Sequence, residues 1–397
     1  MRVLQICPKP PRPSIDGGCL AMDAITTGLL EAGCDVRVLV TSTHKHPVKI
    51  EEMHEDYLKS VGFNSFNVDT RIKPLSALKH LITGVSYNIS RFHSPELDAE
   101  LEKLIVESDF DFIILESLYT ASYIETIRKA SKAKIILRAH NVEHQIWEGL
   151  ADKSTSWLKR WYIGKLSQQL KSYEIQRLNV VDAIIPITDE DAEAFKRLGA
   201  DVPINVSAYG LNFPEENSVS IIQEYDHVFH FGSMDWEPNV QGVRWLVMEV
   251  WPIVREKLPK ARLVLAGRNM PQEFTTDLAQ GITVLGEVAD AADFLKRPGI
   301  MTIPLHSGSG MRVKAVKGME AGKPTVSTQL GVCGLGVANG KHALIADDAA
   351  GFASNIIILL EDSEKARYMA KNGVQHIREN FSNKEIIAKL VEFLRQL

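Results

Sequence analysis

The chain is 397 residues long, 45% hydrophobic and 24% charged, ordinary for a globular protein but long for one core, so two domains are expected. Its net charge of −5 argues against nucleic acid as a partner, because binding a phosphate backbone needs a concentrated basic face. Four scattered cysteines (Cys7, Cys19, Cys34, Cys333) form no Cys-x-x-Cys pair, which argues against a disulfide framework or a zinc site and suits a reducing cytoplasm.

From the amino end, residues 3–7 read as a strand closed at once by Pro8, not as a signal peptide. No segment approaches the length of a membrane span, and the expected location is cytoplasmic. A loop ending in Asp16-Gly17-Gly18 leads into a helix expected from about Cys19 to Ala32, stopped by Gly33. A second strand follows at 36–40. A glycine-rich helix start at the carboxyl end of a first strand is where open α/β sheets bind ligands. The same glycines are also compatible with a tight turn and nothing more. The G-x-G-x-x-G fingerprint is absent, so a nicotinamide cofactor is not supported.

Residues 41–105 are polar and helical in places, with strand alternation only around 63–68. Short apolar strands at 112–115 and 135–137 flank a helix, and Glu116 and His140 fall just past their ends. A long helix is expected over 157–179, carrying Lys159, Arg160, Lys165, Lys171 and Arg177 beside Trp157, Trp161 and Tyr162. That composition suits a solvated face over a core stripe, the preferred reading, or contact with an anionic membrane surface.

After a strand at 183–187, Ala208-Tyr-Gly-Leu-Asn-Phe-Pro214 marks the crossing between domains. The alternation restarts with a strand at 227–231, Gly232-Ser-Met-Asp-Trp-Glu-Pro-Asn239 and a helix over 240–256. Strands at 261–266 and 282–285 follow, ending in Gly267-Arg268 and Gly286-Glu-Val288. A strand at 299–305 then enters His306-Ser-Gly-Ser-Gly-Met-Arg-Val-Lys314, and Met311, Ala315, Val316 and Met319 give the next segment helical spacing. Gly322 and Pro324 end it. A strand, a Gly/Ser loop and a helix start, with Arg312, Lys314 and Lys317 nearby, read as a phosphate-binding corner, since free N–H groups and the helix dipole attract anions. A short strand at 344–346 and helices at 349–361, 363–380 and 382–397 complete the chain. The layers are α/β. Domains are expected at 1–208 and 209–381, with the final helix 382–397 packed back on the first.

Together, the Gly17-Gly18 loop, Arg138-Ala-His-Asn-Val-Glu-His144, Tyr209-Gly-Leu-Asn212, the 232–239 motif, Gly308-Ser-Gly-Met-Arg-Val-Lys314 and Gly322-Lys-Pro-Thr-Val-Ser-Thr328 resemble the GT-B glycosyltransferases of family 4, over nearly the whole chain. The resemblance implies two Rossmann-like domains facing across a cleft and a retaining, metal-independent transfer without a cofactor. It implies a nucleotide-diphospho-sugar donor and a glycan or lipid-linked saccharide acceptor, with peripheral contact at the inner face of the membrane compatible with it. It places His140 and Glu143 at the reacting centre. Gly17, Gly18, Gly232, Arg268, Ser309, Gly310, Met311, Arg312 and Lys314 fall to the donor diphosphate, and Glu287, Val288 and Lys317 to the base and ribose. The family commonly carries two glutamates eight positions apart, which alignment on Gly322-Lys-Pro puts at Ser309 and Lys317. A lysine cannot accept hydrogen bonds from ribose hydroxyls. Glu320, three residues on, is expected to pair with Lys317. Two further readings are a sugar-nucleotide epimerase of the same architecture, which needs carboxylates converging on the sugar, and a non-catalytic nucleotide-binding relative.

Overall fold

The computed structural model describes residues 1–13, 17–152, 154, 156–213, 225–308 and 312–397. They form two compact units, Met1–Asn212 with Asn383–Leu397, and Phe213–Ser382.

The first unit is built on six parallel strands: β1 (Arg2–Cys7), β2 (Asp35–Ser42), β3 (Asn64–Asn67), β4 (Phe112–Glu116), β5 (Lys134–Ala139) and β6 (Ala183–Pro186). They lie side by side in the order β3-β2-β1-β4-β5-β6. Successive strand residues point to opposite faces, so a sheet buried on both sides needs nearly continuous apolar runs. Val3, Val36, Val38, Ile114 and Ile136 pack with Met22, Ile25 and Leu29 of helix Gly17–Glu31 and with Ile387, Leu390 and Leu394 of helix Asn383–Gln396. Leu4, Leu39, Ile113, Leu115, Ile135 and Leu137 pack with Leu97, Leu101 and Ile105 of helix Pro95–Glu107. The two helices on the first face approach closely at Gly28, where a Cβ would lie 2.3 Å from Ile387 Cγ1. Burying Ile387, Leu390, Val391 and Leu394 contributes on the order of 10 kcal/mol to seating the final helix. Asn383 fixes its start, donating from Nδ2 to Ala24 O and from its backbone N–H to Leu211 O.

The second unit repeats the arrangement with β7 (Val228–Phe231), β8 (Leu263–Ala266), β9 (Ile282–Gly286), β10 (Ile300–Ile303), β11 (Thr325–Ser327) and β12 (Leu344–Ile345), all parallel. Their order, β12-β11-β10-β7-β8-β9, is the first sheet's topology read from the opposite edge. In each sheet the chain reverses its direction of travel at one point, between β1 and β4 and between β7 and β10. The carboxyl ends of those strands are where such sheets bind ligands.

One expected helix is interrupted. Residues 240–256 form Glu237–Trp245, a π turn at Leu246–Val250 and Trp251–Lys257. Pro252 has no N–H to give the regular ladder, and the Trp251 N–H reaches back to Leu246 O instead. The widened turn seats Trp251 in the core, where its indole donates to Gln280 O at 2.8 Å.

Candidate functional site

At the carboxyl edge of the first sheet, β4 ends on Glu116, and β5 carries Arg138 and runs into His140. Glu116 Oε2 accepts from Arg138 Nη1 at 2.8 Å and lies 2.6 Å from His140 Nε2. The other oxygen accepts from Gln5 Nε2 of β1 at 2.7 Å, and Thr26 donates to Gln5 Oε1 at 2.6 Å. Gln5, Thr26, Glu116 and Arg138 are all fully buried. Burial alone would raise the Glu116 carboxyl, but the Arg138 charge and the His140 hydrogen bond outweigh it and hold the group at about 2. Glu116 is therefore ionised, and it calls for the His140 proton on Nε2. Nδ1 is left without a partner among the described residues. Burial is the largest influence on His140 and pushes its pKa down, outweighing the pull of Glu116, and Arg138 and Lys9 push it further. The arrangement is a neutral, oriented imidazole, its side chain 14% exposed. Arg138 Nε and Nη2 are buried without partners among the described residues.

The chain leaves Glu116 through Ser117, whose φ of 82° and ψ of 154° lie in a region glycine normally occupies. The bend lets the Ser117 N–H donate to Arg138 O at 2.8 Å, tying the strand ends together.

Glu143 begins the next helix, Glu143–Asp152, and is buried. Its N–H donates to Glu174 Oε1 at 3.0 Å, and Tyr119 donates to Glu143 Oε2 at 3.1 Å. Burial and the Glu174 charge raise its carboxyl to about 7, so it is a proton donor and acceptor poised near neutrality. Glu174 is itself occupied by His144 Nδ1 at 2.5 Å.

The second sheet gathers a different set at its reversal point. His230 of β7 is fully buried, with Nδ1 3.2 Å from Thr302 O of β10, so that nitrogen donates. Its Nε2 has no partner among the described residues. Burial, and next the Lys314 charge, press its pKa well below the ordinary histidine value. Lys314 stands in the first turn of helix Val313–Glu320 and donates to Asn239 Oδ1 at 2.6 Å. Asn239 in turn donates to Ser233 O at 2.7 Å, which fixes the direction of its amide. Burial and the Arg312 charge lower the Lys314 amine to about 7, and no carboxylate among the described residues neutralises it. Gly232 closes the cluster: a Cβ there would come 3.0 Å from Asn239 Nδ2 and 3.3 Å from His230 Nε2. Gly267 lies against it, since a Cβ there would meet Gly232 O at 1.8 Å.

The remaining residues singled out from the sequence fall as follows. Gly17 and Gly18 are the first two residues of helix Gly17–Glu31. Arg312 is buried just before helix Val313–Glu320, where it donates to Gly308 O at 2.9 Å and lies 5.5 Å over the Trp236 ring. Arg268 is half-exposed and bonded to Asp235 Oδ2 at 3.0 Å. Glu287 is exposed and Val288 partly so, in the turn after β9. Lys317 is partly buried. Its charge lowers Glu320, whose carboxyl burial raises, but no hydrogen bond or ion pair joins the two and the expected pairing is absent. Asp16, Ser309, Gly310 and Met311 lie outside the described residues. Among the described residues no three His, Cys, Asp or Glu side chains lie together as metal ligands would.

His230 and Gln5 carry no motif in the sequence, and Arg138 and Asn239 stand there only at the ends of motifs. Three of them are strand residues inside apolar runs, and a polar residue in such a run was the available signal.

A family profile described as Glycosyl transferases group 1 matches residues 226–362, the stretch that contains Gly232, His230, Asn239 and Lys314. The fold is GT-B. Over its whole length the GT-B chain is similar to Anabaena HepE in complex with UDP (15% identity, all of both chains covered, TM-score 0.69). It is also similar to sucrose-phosphate synthase from Thermosynechococcus elongatus (15% identity, 100% and 99% covered, TM-score 0.68). Among curated sequences, it is 22% identical to an uncharacterized 44.6 kDa protein in the cps region of Klebsiella pneumoniae, across 96% of each chain. Trehalose synthase of Thermococcus litoralis is 24% identical over 163 residues, 37% of this GT-B chain and 38% of that protein.

Proposed function

We propose that the protein transfers a sugar, with retention of configuration and without a divalent metal, from a nucleotide-diphospho-sugar to a saccharide acceptor that is a glycan or lipid-linked. The observation that carries this reading is Lys314: a lysine drawn out of water beside a helix start, held by a neutral amide and lacking a carboxylate. Such a group is costly until an anion arrives, and the departing diphosphate is that anion. As the bond between the sugar C1 and the phosphate oxygen breaks, negative charge grows on the nucleotide and positive charge on the sugar ring. Lys314 and the N–H groups at the start of helix Val313–Glu320 stabilise the first. His140, kept neutral with Nε2 committed to Glu116, has Nδ1 to accept a hydroxyl of the sugar. Glu143, titrating near 7, is the group suited to exchanging a proton. UDP is the first nucleotide to try, since the similar Anabaena structure holds it.

The epimerase reading is less well supported. It needs carboxylates converging on the sugar, whereas Glu116 is fully buried and spent on Arg138 and His140, which leaves Glu143 alone. The test is incubation with UDP-, GDP- and ADP-sugars, with and without lipid-linked saccharide acceptors, following products and anomeric configuration by NMR. A retained linkage on an acceptor, lost in Lys314→Met, is the expected result. An epimerised donor without acceptor would establish the second reading, and tight nucleotide binding with no turnover on any pair would establish a non-catalytic binder.

A further inference from the structure

Two helices of the first unit leave large apolar side chains in solvent. Helix Pro74–Thr83 buries Ala77 in a small cluster with Tyr87 and Leu166, and exposes Leu75 (85%), Leu78 and Ile82 (81%). The spacing i, i+3, i+7 sets those three on one stripe. Ile72 and Val85 on either side of the helix are exposed as well. Helix Trp157–Leu178 exposes Trp157 (75%), Leu158 and Trp161 at its start. The two helices belong to one layer: Gln169 Nε2 donates to His80 O at 2.8 Å, and Tyr162 joins the cluster around Ala77 and Leu166.

The charge of this layer is predominantly basic. Residues 70–95 contain Arg71, Lys73, Lys79 and Arg91 and no aspartate or glutamate. Residues 156–173 contain Lys159, Arg160, Lys165 and Lys171, again with no acid. The flanking acids are already engaged: Asp69 with Arg71 and Lys73, Asp152 with Arg160, and Glu148 with Lys171. Lys79, Lys159 and Lys165 have no carboxylate partner among the described residues. Leucine, isoleucine and tryptophan set among unpaired lysines are the chemistry of an anionic bilayer interface: indoles rest at headgroup depth, alkyl chains reach the acyl boundary and ammonium groups meet phosphates. A second copy of this face would bring the same cations against one another, and protein interfaces are depleted in lysine. Among the described residues no helix is long and apolar enough to cross a membrane, so the contact is with the surface.

We propose that helices Pro74–Thr83 and Trp157–Leu178 seat the first unit on an anionic lipid bilayer, with Leu75, Leu78, Ile82, Trp157 and Trp161 as the inserting side chains. The inference is independent of the transfer chemistry and is tested without it. The full chain is sedimented with vesicles of phosphatidylcholine alone or mixed with phosphatidylglycerol, while tryptophan emission is recorded. Expected are binding to the mixed vesicles only, release by salt, and a blue shift on binding. Leu78→Glu with Ile82→Glu should weaken binding at least about tenfold, and Lys79→Ala with Lys159→Ala about fivefold for each charge. These side chains are exposed, so unchanged thermal midpoints are expected and certify the variants as folded. Absence of binding to mixed vesicles at low salt overturns the proposal, as does unchanged binding by both folded variants. A solution dimer that Leu78→Glu with Ile82→Glu breaks would also overturn it, assigning the face to a second copy.

Discussion

At the carboxyl edge of the first sheet a buried arginine has its counter-ion, whereas at that of the second a half-buried lysine has none among the described residues. The strand order is the same, and in both sheets polar residues from the two strands flanking the reversal point come together: Gln5 with Glu116, and His230 with Thr302. Beyond that the edges diverge. In the first, Glu116 neutralises Arg138 and spends its remaining valence on aiming His140, so the edge is electrostatically complete before any ligand arrives. In the second, His230 and Lys314 lie together with only a carbonyl and Asn239 to bond them, and each is pushed toward its neutral form. The contrast separates an edge whose buried charges are paired from an edge whose lysine lacks a carboxylate among the described residues.

The largest effect should follow from opening the first edge. Glu116→Gln leaves the Arg138 charge buried without its partner, and a loss of about 3–5 kcal/mol in unfolding free energy is expected in chemical denaturation. The double variant Glu116→Gln with Arg138→Met should recover most of it. An unchanged single variant would show that the ion pair is not the closed unit described. The pH response has a definite sign: Glu116 titrates at about 2 in the folded chain, below its ordinary value, so its contribution is complete above the ordinary carboxyl range and is lost as pH falls toward 2.

Next comes the second edge. Lys314→Met should lower kcat/KM about 10²–10³-fold with little cost in stability, because it removes a charge that the free protein does not compensate. A variant that unfolds instead of losing turnover would contradict the reading. The same lysine predicts how nucleotide binding varies with pH. Its folded value of about 7 lies below the ordinary amine, so folding destabilises the charged form. That cost is present in full below 7 and fades as pH rises toward the ordinary lysine range. An anion restores the proton, so UDP affinity measured by calorimetry should fall as pH rises above about 7, with proton uptake on binding. In Lys314→Met both signatures should vanish.

His140→Ala is expected to reduce kcat about 10²-fold while leaving UDP affinity nearly unchanged, which distinguishes an orienting group from an anion receiver. The smallest effect expected is a gain. Ser117 holds a left-handed backbone angle that costs an L-residue about 1–3 kcal/mol, so Ser117→Gly should stabilise the protein by up to about 1 kcal/mol after the entropy of the freer unfolded chain is subtracted.

Much of this was legible without coordinates. Alternating apolar runs and helical periods reported two doubly wound sheets because burial of both sheet faces leaves a direct trace in composition. That His140 and Gly232 follow strand ends and that Lys314 opens a helix was legible because strand ends and glycine-rich helix starts are local signals. The π turn at Leu246–Val250 went unseen, since Pro252 reads equally as a helix end and as a shifted ladder until the partner of the Trp251 N–H is known. Lys317 and Glu320 were expected to pair from their spacing alone, yet tertiary packing part-buries both and joins neither to the other.

The sequence by itself therefore determined the layers, the strand ends and the identity of the cations at the second edge, because each depends on neighbours a few residues away. Whether those cations are paired was a tertiary decision. Arg138 meets Glu116 across 22 residues, and Lys314 meets Asn239 across 75. The protonation of a buried group depends on which partners the fold brings within a few ångströms and on how much water it removes, and neither is encoded in local spacing.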